Sequence, residues 1–271
     1  MDPETYFERY GLSSWLYLHH SLEEALPRIA RAGFRQVELW ADQTHLDPRA
    51  NPDLPAIEAL LRRLGLEVHS VHLPFSGLDL GSPDESGLDG WLRLTGTALE
   101  YCAQLGGRVA VLHASGGKSA LEGEALDRSR RLSAAFVRGA QALAGRLGIR
   151  LALENLLREW SQCGRSLAEL AQTFPDDEIG FCLDTGHALV NGLDVAAEVR
   201  AAGSRLVAIH ADDNDGREDR HLPPTRGVLD WQEVERCLAT AGFDGCRMLE
   251  VYGGDDPDQV LQELATLWQR I

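Results

Sequence analysis

Residues 179-IGFCLDTGHALVNG-192 contain the stretch on which the interpretation of the whole chain depends. An apolar run ends in Asp184, a Thr-Gly turn follows, and His187 comes three residues after the aspartate. This order predicts a buried strand that carries a carboxylate at its C-terminal tip, with an imidazole on the loop beyond it. Other strand-like runs that end in a metal-binding side chain would then be expected elsewhere in the chain.

Five further apolar runs end in the same way. A single His or Glu at the end of a strand usually caps or packs, but six such endings in one chain are hard to ascribe to chance. Six strands that each present a metal-binding side chain at the same end predict one shared site. The further runs are 68-VHSVH-72, 108-RVAVLH-113, 149-IRLALE-154, 205-RLVAIH-210 and 246-CRMLEV-251, which carries Glu250.

The rhythm of strand and helix signals predicts an α/β fold, a single-domain (β/α)8 TIM barrel over residues 1–271. Eight of each alternate along the 271 residues, and no linker, repeat or low-complexity tract interrupts them. A doubly wound open sheet is the alternative, but it would gather ligands at a switch point between strands. The predicted strands are 11–18, 35–40, 66–73, 108–113, 149–154, 179–184, 205–210 and 246–251. The predicted helices are 22–33, 54–65, 88–105, 122–147, 167–173, 194–202, 231–241 and 257–270.

Composition narrows the class of protein. Apolar residues make up 44% of the chain, yet no run approaches the about 18 residues of a membrane span. The polar, acidic start MDPETYFERYG does not resemble a secretory signal. Five cysteines without CxxC spacing indicate reduced thiols. We therefore expect a cytoplasmic protein with no membrane partner.

The net charge of −16 counts against a nucleic-acid partner. Proteins that grip a nucleic-acid backbone usually present a basic face. Here 42 acidic residues outnumber 26 basic ones, and Lys118 is the only lysine. A local basic groove stays open as an alternative, as does an anion cradle in 114-ASGGKS-119, where a tight turn explains the glycines equally well.

In a barrel, the C-terminal ends of the strands lie on one face, so the six strand-end side chains would meet there. Three imidazoles and three carboxylates there suit Zn, Mn, Co or Fe better than Ca or Mg alone. Two loops could contribute further groups, and Glu38 on the second strand could contact substrate, act behind the site or form a structural ion pair. The six strand-end candidates are His72, His113, Glu154, Asp184, His210 and Glu250; the loop candidates are His187, Asp219 and His221.

Four motifs resemble the xylose-isomerase-like TIM-barrel superfamily, which includes sugar and sugar-phosphate isomerases and epimerases and the endonuclease IV group. The motifs are LEN at Glu154, CLDTGH at Asp184, IHADDNDGREDRHLPPTRGVLDW from residue 209, and LEVYG around Glu250. They run over most of the chain. The resemblance implies the barrel fold and a divalent metal ion.

Similarity to the ketose 3-epimerase branch implies one ion (Mn, Co, Mg or Zn) held by four residues: Glu154, Asp184, His210 and Glu250. Glu154 and Glu250 would then act as the acid/base pair, one removing the proton next to the carbonyl and the other returning it on the opposite face through an enediolate. His187 and Arg217 would hold substrate oxygens, although the spacing of Arg217 from His210 matches the branch's arginine only approximately.

Similarity to the endonuclease IV group implies a different centre, with up to three zinc ions and a phosphodiester substrate. Its nine ligand positions are matched by His72, His113, Glu154, Asp184, His187, His210, Asp219, His221 and Glu250. The loops 41–53 and 74–90, however, carry one arginine against many acids. We therefore predict a metal-dependent isomerase or epimerase of a small sugar, sugar phosphate or polyol, with a trinuclear zinc phosphoesterase as the alternative. A homo-oligomer is compatible with the sequence.

Overall fold

Eight parallel strands close into a barrel in the computed structural model. Each strand pairs with the next, and the last pairs with the first. The structure describes residues 1–80, 87–115, 122–157, 161, 167–168, 171, 174–175 and 178–271. The predicted fold class is therefore confirmed, and the open-sheet alternative is excluded. The strands are β1 (Tyr10–Ser13), β2 (Gln36–Trp40), β3 (Glu67–His72), β4 (Val109–His113), β5 (Arg150–Glu154), β6 (Ile179–Asp184), β7 (Leu206–His210) and β8 (Arg247–Leu249).

Helices alternate with the strands. The described α-helices are α1 (Pro3–Arg9), α2 (Leu22–Arg31), α3 (Leu54–Leu64), α4 (Leu88–Gln104), α5 (Gly123–Leu147), α6 (Thr185–Val190), α7 (Val195–Ala202), α8 (Trp231–Thr240) and α9 (Pro257–Ala265). Short 3-10 turns cover Ser14–Tyr17, Gly203–Arg205 and Leu267–Gln269. None of the described helices combines the length and the hydropathy that crossing a membrane requires. The predicted helix at 167–173 and the loop at 114–119 lie mostly outside the described residues.

Three local predictions differ from the structure. The first strand, expected over 11–18, ends at Ser13, because the Ser13 hydroxyl accepts the N–H of Trp15 and starts a 3-10 turn. Helix α1 was not predicted at all. The segment after β6, expected as a loop, forms α6 because the Asp184 carboxylate caps its first turn.

The barrel interior is narrow below the strand tips. A cluster of mostly small residues fills it, one from each of four neighbouring strands: Val111, Ala152, Cys182 and Ala208. Each lies two residues before a strand-tip candidate, so the alternation of strand side chains points those candidates inward as well. A separate, larger apolar cluster packs the helices around the barrel.

Candidate metal centre

The strand ends bring the six predicted groups together. His72, His113, Glu154, Asp184 and His210 are the last residues of β3 to β7, and Glu250 directly follows β8. Five of these six side chains are almost completely buried, and His113 is partly exposed. A cavity of about 950 Å³ opens above them. This is the C-terminal face, where TIM barrels place their active sites.

A side-chain clamp between β5 and β6 fixes the position of Asp184. The Asn155 amide donates to the Asp184 carbonyl at 3.0 Å, and its oxygen accepts the Asp184 N–H at 2.8 Å. The Asp184 carboxylate in turn accepts the N–H of His187 at 2.6 Å. The asparagine of the LEN motif thereby positions the aspartate of CLDTGH. Sequence reasoning had quoted Asn155 without giving it a role.

The long loop 211–230 carries Asp219 and His221 to the site, and Asp213 anchors it. The Asp213 backbone exchanges two hydrogen bonds with Leu222, each 2.8 Å. Its buried carboxylate accepts N–H groups at 2.9 to 3.2 Å, namely the backbone N–H groups of Asn214, Thr225 and Leu229 and the indole N–H of Trp231. This aspartate was not singled out from the sequence, although it lies inside the resembling motif.

The candidate ligands fall into overlapping groups. Within each group, every residue offers one ligand atom, and these atoms lie within 4.8 Å of one another. Glu154 belongs to two groups, as do Asp184 and His221. Among the described residues the groups are His72–His113–Glu154, Glu154–Asp184–His210–Glu250, Asp184–His187–His221 and Asp212–Asp219–His221. All nine predicted ligands take part, and Asp212 is an addition that was not predicted.

The histidine rings are oriented as metal ligands are. In three of them Nδ1 lies 2.9 to 3.0 Å from a backbone carbonyl oxygen: His72 with Leu73, His187 with Asn155, and His221 with Glu250. A ring N–H that donates to a carbonyl fixes the tautomer and leaves the other nitrogen with a free lone pair. In each of these rings that other nitrogen, Nε2, faces a carboxylate of the candidate groups.

The two oxygens of Glu154 face different histidines. Oε2 lies 3.2 Å from His72 Nε2 and 3.1 Å from His113 Nε2, whereas Oε1 lies 3.2 Å from His210 Nδ1. The Glu154 carboxylate therefore stands between the first group and the central group, where it could serve both.

Charge is concentrated in this site. Burial lowers the pKa of His187, but Asp184, Asp219 and Glu154 outweigh it and raise that pKa to about 10. Burial raises the pKa of Glu250, but His210 outweighs it and lowers that pKa to about 2. Asp184 keeps a buried oxygen, Oδ2, without a hydrogen-bond partner. Imidazole nitrogens mixed with unpartnered buried carboxylate oxygens fit a divalent cation of the Zn, Mn, Co or Fe type.

Aromatic side chains form one wall of the cavity. The ring centroids of Tyr252 and Trp15 lie 5.9 Å apart, those of Trp15 and Trp40 5.6 Å, and those of Trp40 and Phe75 5.4 Å. Arg220 is the one arginine among the described residues lining the cavity, and its guanidinium pairs with Glu218 at 2.9 Å. The sequence did not reveal this wall, since its four members come from four different parts of the chain.

Two predicted substrate contacts lie elsewhere. Arg217 is exposed and is not among the residues that line the cavity, which has Arg220 in that place. Asp215 Oδ1 accepts the N–H groups of Arg217 and Glu218, and this tight turn lies at the solvent side of the loop. Glu38 is completely buried beneath the site and also does not line the cavity.

The family model described as the xylose isomerase-like TIM barrel matches residues 26–271. The chain belongs to this family. The superfamily predicted from the sequence motifs is thereby confirmed.

The similar proteins include two whose names state an epimerase or isomerase and one whose name states no function. L-ribulose-5-phosphate 3-epimerase UlaE of Escherichia coli is 24% identical over 242 residues, which cover 86% of this chain and 84% of UlaE. A putative hydroxypyruvate isomerase of Streptomyces coelicolor is 25% identical and covers 92% of each chain. A protein of Methanocaldococcus jannaschii, MJ1311, is 28% identical over 251 residues, which cover 89% of this chain and 83% of MJ1311.

Solved structures show the same fold. A D-tagatose 3-epimerase-like protein superposes with a TM-score of 0.83 at 24% identity, covering 96% of this chain and 97% of that one. The structure of 3-keto-D-glucoside 4-epimerase from E. coli superposes with a TM-score of 0.76 at 19% identity, covering 97% and 98%. UlaE and these structural neighbours are thus named as sugar epimerases or as similar to one, and the S. coelicolor protein is named as a putative isomerase.

Proposed function

We propose that this chain is a divalent-metal-dependent isomerase or epimerase that moves a proton next to the carbonyl of a sugar, sugar phosphate or polyol derivative. The observation that carries the proposal is the placement of Glu154 and Glu250. Their carboxylates approach the same nitrogen, His210 Nδ1, at 3.2 and 3.0 Å, from β5 and from the end of β8. Both residues also line the cavity.

The two glutamates provide the acid and the base. One carboxylate takes the proton from the carbon beside the carbonyl, and the other returns a proton to the opposite face, which inverts that centre. If the proton instead returns to the neighbouring carbon, the same pair gives an isomerisation. The names of UlaE and the putative hydroxypyruvate isomerase support this class of reaction.

The central ion would be held by Glu154, Asp184, His210 and Glu250. A divalent cation in that position supplies Lewis-acid stabilisation of the negative charge that the substrate gains when its proton leaves. The aromatic wall excludes water from one side of the cavity and offers an apolar face to the C–H groups of a sugar. His187 reaches the cavity next to Asp184 and can hold a substrate hydroxyl.

A second candidate, a trinuclear zinc phosphoesterase, is favoured by the surroundings of Glu154. Its Oε2 is faced by His72 and His113, so a second ion bound there would occupy the oxygen that a catalytic base needs. The groups that contain His187, Asp219 and His221 would hold a third ion. Two or more adjacent ions suit the clamping of a phosphoester.

One experiment separates the two candidates. The protein is purified without chelator or added metal, its metals are counted by elemental mass spectrometry, and it is incubated in D2O with D-tagatose, L-ribulose and L-ribulose 5-phosphate. We expect about one ion per chain and incorporation of deuterium beside the carbonyl, seen by NMR. Three zinc ions per chain, no deuterium incorporation and hydrolysis of bis(4-nitrophenyl) phosphate would instead establish the phosphoesterase.

A small-molecule sugar or polyol is the partner that we propose, and nucleic acid is not. The cytoplasmic location, a homo-oligomeric state and the extent of the domain over residues 1–271 stay predictions from the sequence.

A further inference from the structure

Glu38 is a buried carboxylate outside the proposed ligand set, and the proposed mechanism does not use it. It lies on β2 with 0% of its surface exposed. Each of its oxygens lies 3.3 Å from His210 Nε2, and Oε2 also accepts the Ser70 hydroxyl at 2.7 Å. Its surroundings are therefore one imidazole and one hydroxyl at the floor of the site.

A register shift in the barrel creates this arrangement. Val37 of β2 pairs with Val68 of β3, but the next residue, Glu38, pairs with Ser70, so that His69 is skipped. The shift places Glu38 beside Ser70, two residues before the candidate ligand His72. A bulge of this kind often re-aims a side chain next to an active site.

The complete burial of the Glu38 carboxylate requires an explanation. A carboxylate removed from water is unfavourable unless it is paired, and a well-packed apolar side chain would fill the same space without that cost. Glu38 is not among the described residues that line the cavity, so substrate contact does not supply the reason. Of its two hydrogen-bond partners, Ser70 and His210, only His210 belongs to the proposed metal site.

The two ring nitrogens of His210 face different groups. Nε2 faces Glu38, whereas Nδ1 faces Glu154 at 3.2 Å and Glu250 at 3.0 Å. A carboxylate that accepts the proton of one ring nitrogen fixes the tautomer, the ring orientation and the basicity of the other nitrogen, which binds the metal. In His72, His187 and His221 Nδ1 lies within 3.0 Å of a backbone carbonyl oxygen, whereas the hydrogen-bond partner of His210 Nε2 is the Glu38 carboxylate.

We propose that Glu38 is a positioning residue for the central metal ion: it accepts the Nε2 proton of His210 and holds Nδ1 toward the ion, while Ser70 keeps the carboxylate in place. The inference rests on the metal site of the proposed function. Glu38 then acts on the metal site and is not the substrate contact that the sequence suggested. It concerns metal binding, so it can be tested without a substrate.

The test is a Co2+ titration of the metal-free protein, followed by the visible absorption of the bound ion. For Glu38→Gln we expect one bound ion to weaken about 10- to 100-fold, with a shift of its absorption band, because removal of such a partner typically has this effect on metal affinity. For Ser70→Ala we expect a smaller weakening, since the carboxylate stays. Any further bound ions should keep their affinity.

Asp42→Asn is the matched control. Asp42 is also buried, lies just beyond the same strand, pairs with Arg49 and accepts the N–H of Ser76 at 3.0 Å. Its carboxylate contacts no histidine side chain among the described interactions, so its neutralisation should lower thermal stability without changing Co2+ affinity. Equal weakening in Asp42→Asn and Glu38→Gln would reduce Glu38 to a general structural role and overturn the inference.

Unchanged affinity and an unchanged Co2+ spectrum in Glu38→Gln would also overturn it. If this variant does not fold, Ser70→Ala decides, and wild-type affinity and spectrum there count against the inference. A wild-type protein that binds Co2+ but exchanges no substrate proton would refute the proposed function only. The metal-affinity comparison would still stand on its own.

Discussion

Glu154 and Glu250 share one neighbour, His210 Nδ1, although they come from β5 and from the end of β8. Their oxygens lie 3.2 and 3.0 Å from that nitrogen. Two carboxylates this close repel each other when both are ionised, unless positive charge lies between them. The pair therefore needs either a protonated imidazole or a metal ion.

Replacement of either glutamate by glutamine should stop proton exchange. Removal of a general acid or base typically costs 10²- to 10⁴-fold in rate, so we expect Glu154→Gln and Glu250→Gln each to lose deuterium incorporation by at least about 10²-fold. Circular dichroism should show an intact fold. Because both residues are also candidate ligands, each variant is assayed at saturating metal. Wild-type exchange in either variant would refute the two-base mechanism.

The effect of two histidine substitutions on metal content should depend on which candidate function is correct. If only the central group binds an ion, His72→Ala and His221→Ala leave about one ion per chain, because neither side chain belongs to that group. If three ions bind, each substitution removes part of a separate group and lowers the count. Elemental analysis decides, and His210→Ala serves as the positive control because it should empty the central position in both cases.

Metal binding should release protons and strengthen as the pH rises. Burial opposes protonation of His187, but its carboxylate neighbours raise its pKa to about 10, so in the metal-free protein it carries a proton at pH 7. In the three-ion case an ion binds at His187 and must displace that proton. Titration calorimetry in two buffers of different ionisation enthalpy should then show a net release. With three ions bound, equal heats in both buffers would contradict this protonation state.

The raised pKa of His187 also affects the stability of the metal-free protein. His187 has a folded pKa above its ordinary value of 6.5, so its stabilising contribution is complete below that value and is lost as the pH rises through about 10. We expect the melting temperature of chelator-treated protein to fall between pH 7 and pH 10. The His187→Ala variant should show a shallower fall, and an equal fall would assign the effect to other groups.

Asp213→Ala should loosen the loop that carries Asp219 and His221. The substitution leaves several buried N–H groups without their acceptor, and one such donor alone costs about 1–3 kcal/mol. We expect a lower melting temperature and, in the three-ion case, loss of one ion. Asp215→Ala is the control, since this more exposed aspartate caps the turn at Arg217 and Glu218 and pairs with Arg220 at 3.6 Å, but does not anchor the loop to buried N–H groups. An equal loss of metal in both variants would remove the special role of Asp213.

The sequence predicted those parts of the site that depend on strand alternation and strand ends. His72, His113, Glu154, Asp184 and His210 each end a short apolar run, and that pattern carries over directly into a barrel rim. Helix α6 was missed because Thr-Gly looks like a turn. It becomes a helix start only once the Asp184 carboxylate caps it.

Other features depend on contacts between distant parts of the chain. The surroundings of Glu38 follow from the register shift against β3, and the alternation within QVELW looks the same with or without that shift. Arg217 was expected at the substrate from the similarity to the ketose 3-epimerase branch, although its spacing from His210 matched only approximately. The turn at Asp215 instead leaves it exposed, and Arg220 lines the cavity. Spacing along a loop does not determine which of its residues faces inward.

Gly186, between Asp184 and His187, occupies a position that has no room for a side chain. A Cβ at this position would fall well inside van der Waals contact of the Asp212 carboxylate and the Asn214 amide, and the Gly186 N–H donates to Asp212 Oδ1 at 3.0 Å. Any side chain there must displace the residues that begin the loop 211–230. A side chain at residue 186 would therefore require a different path for the loop that delivers Asp219 and His221, so this single glycine determines where two of the candidate ligands can lie.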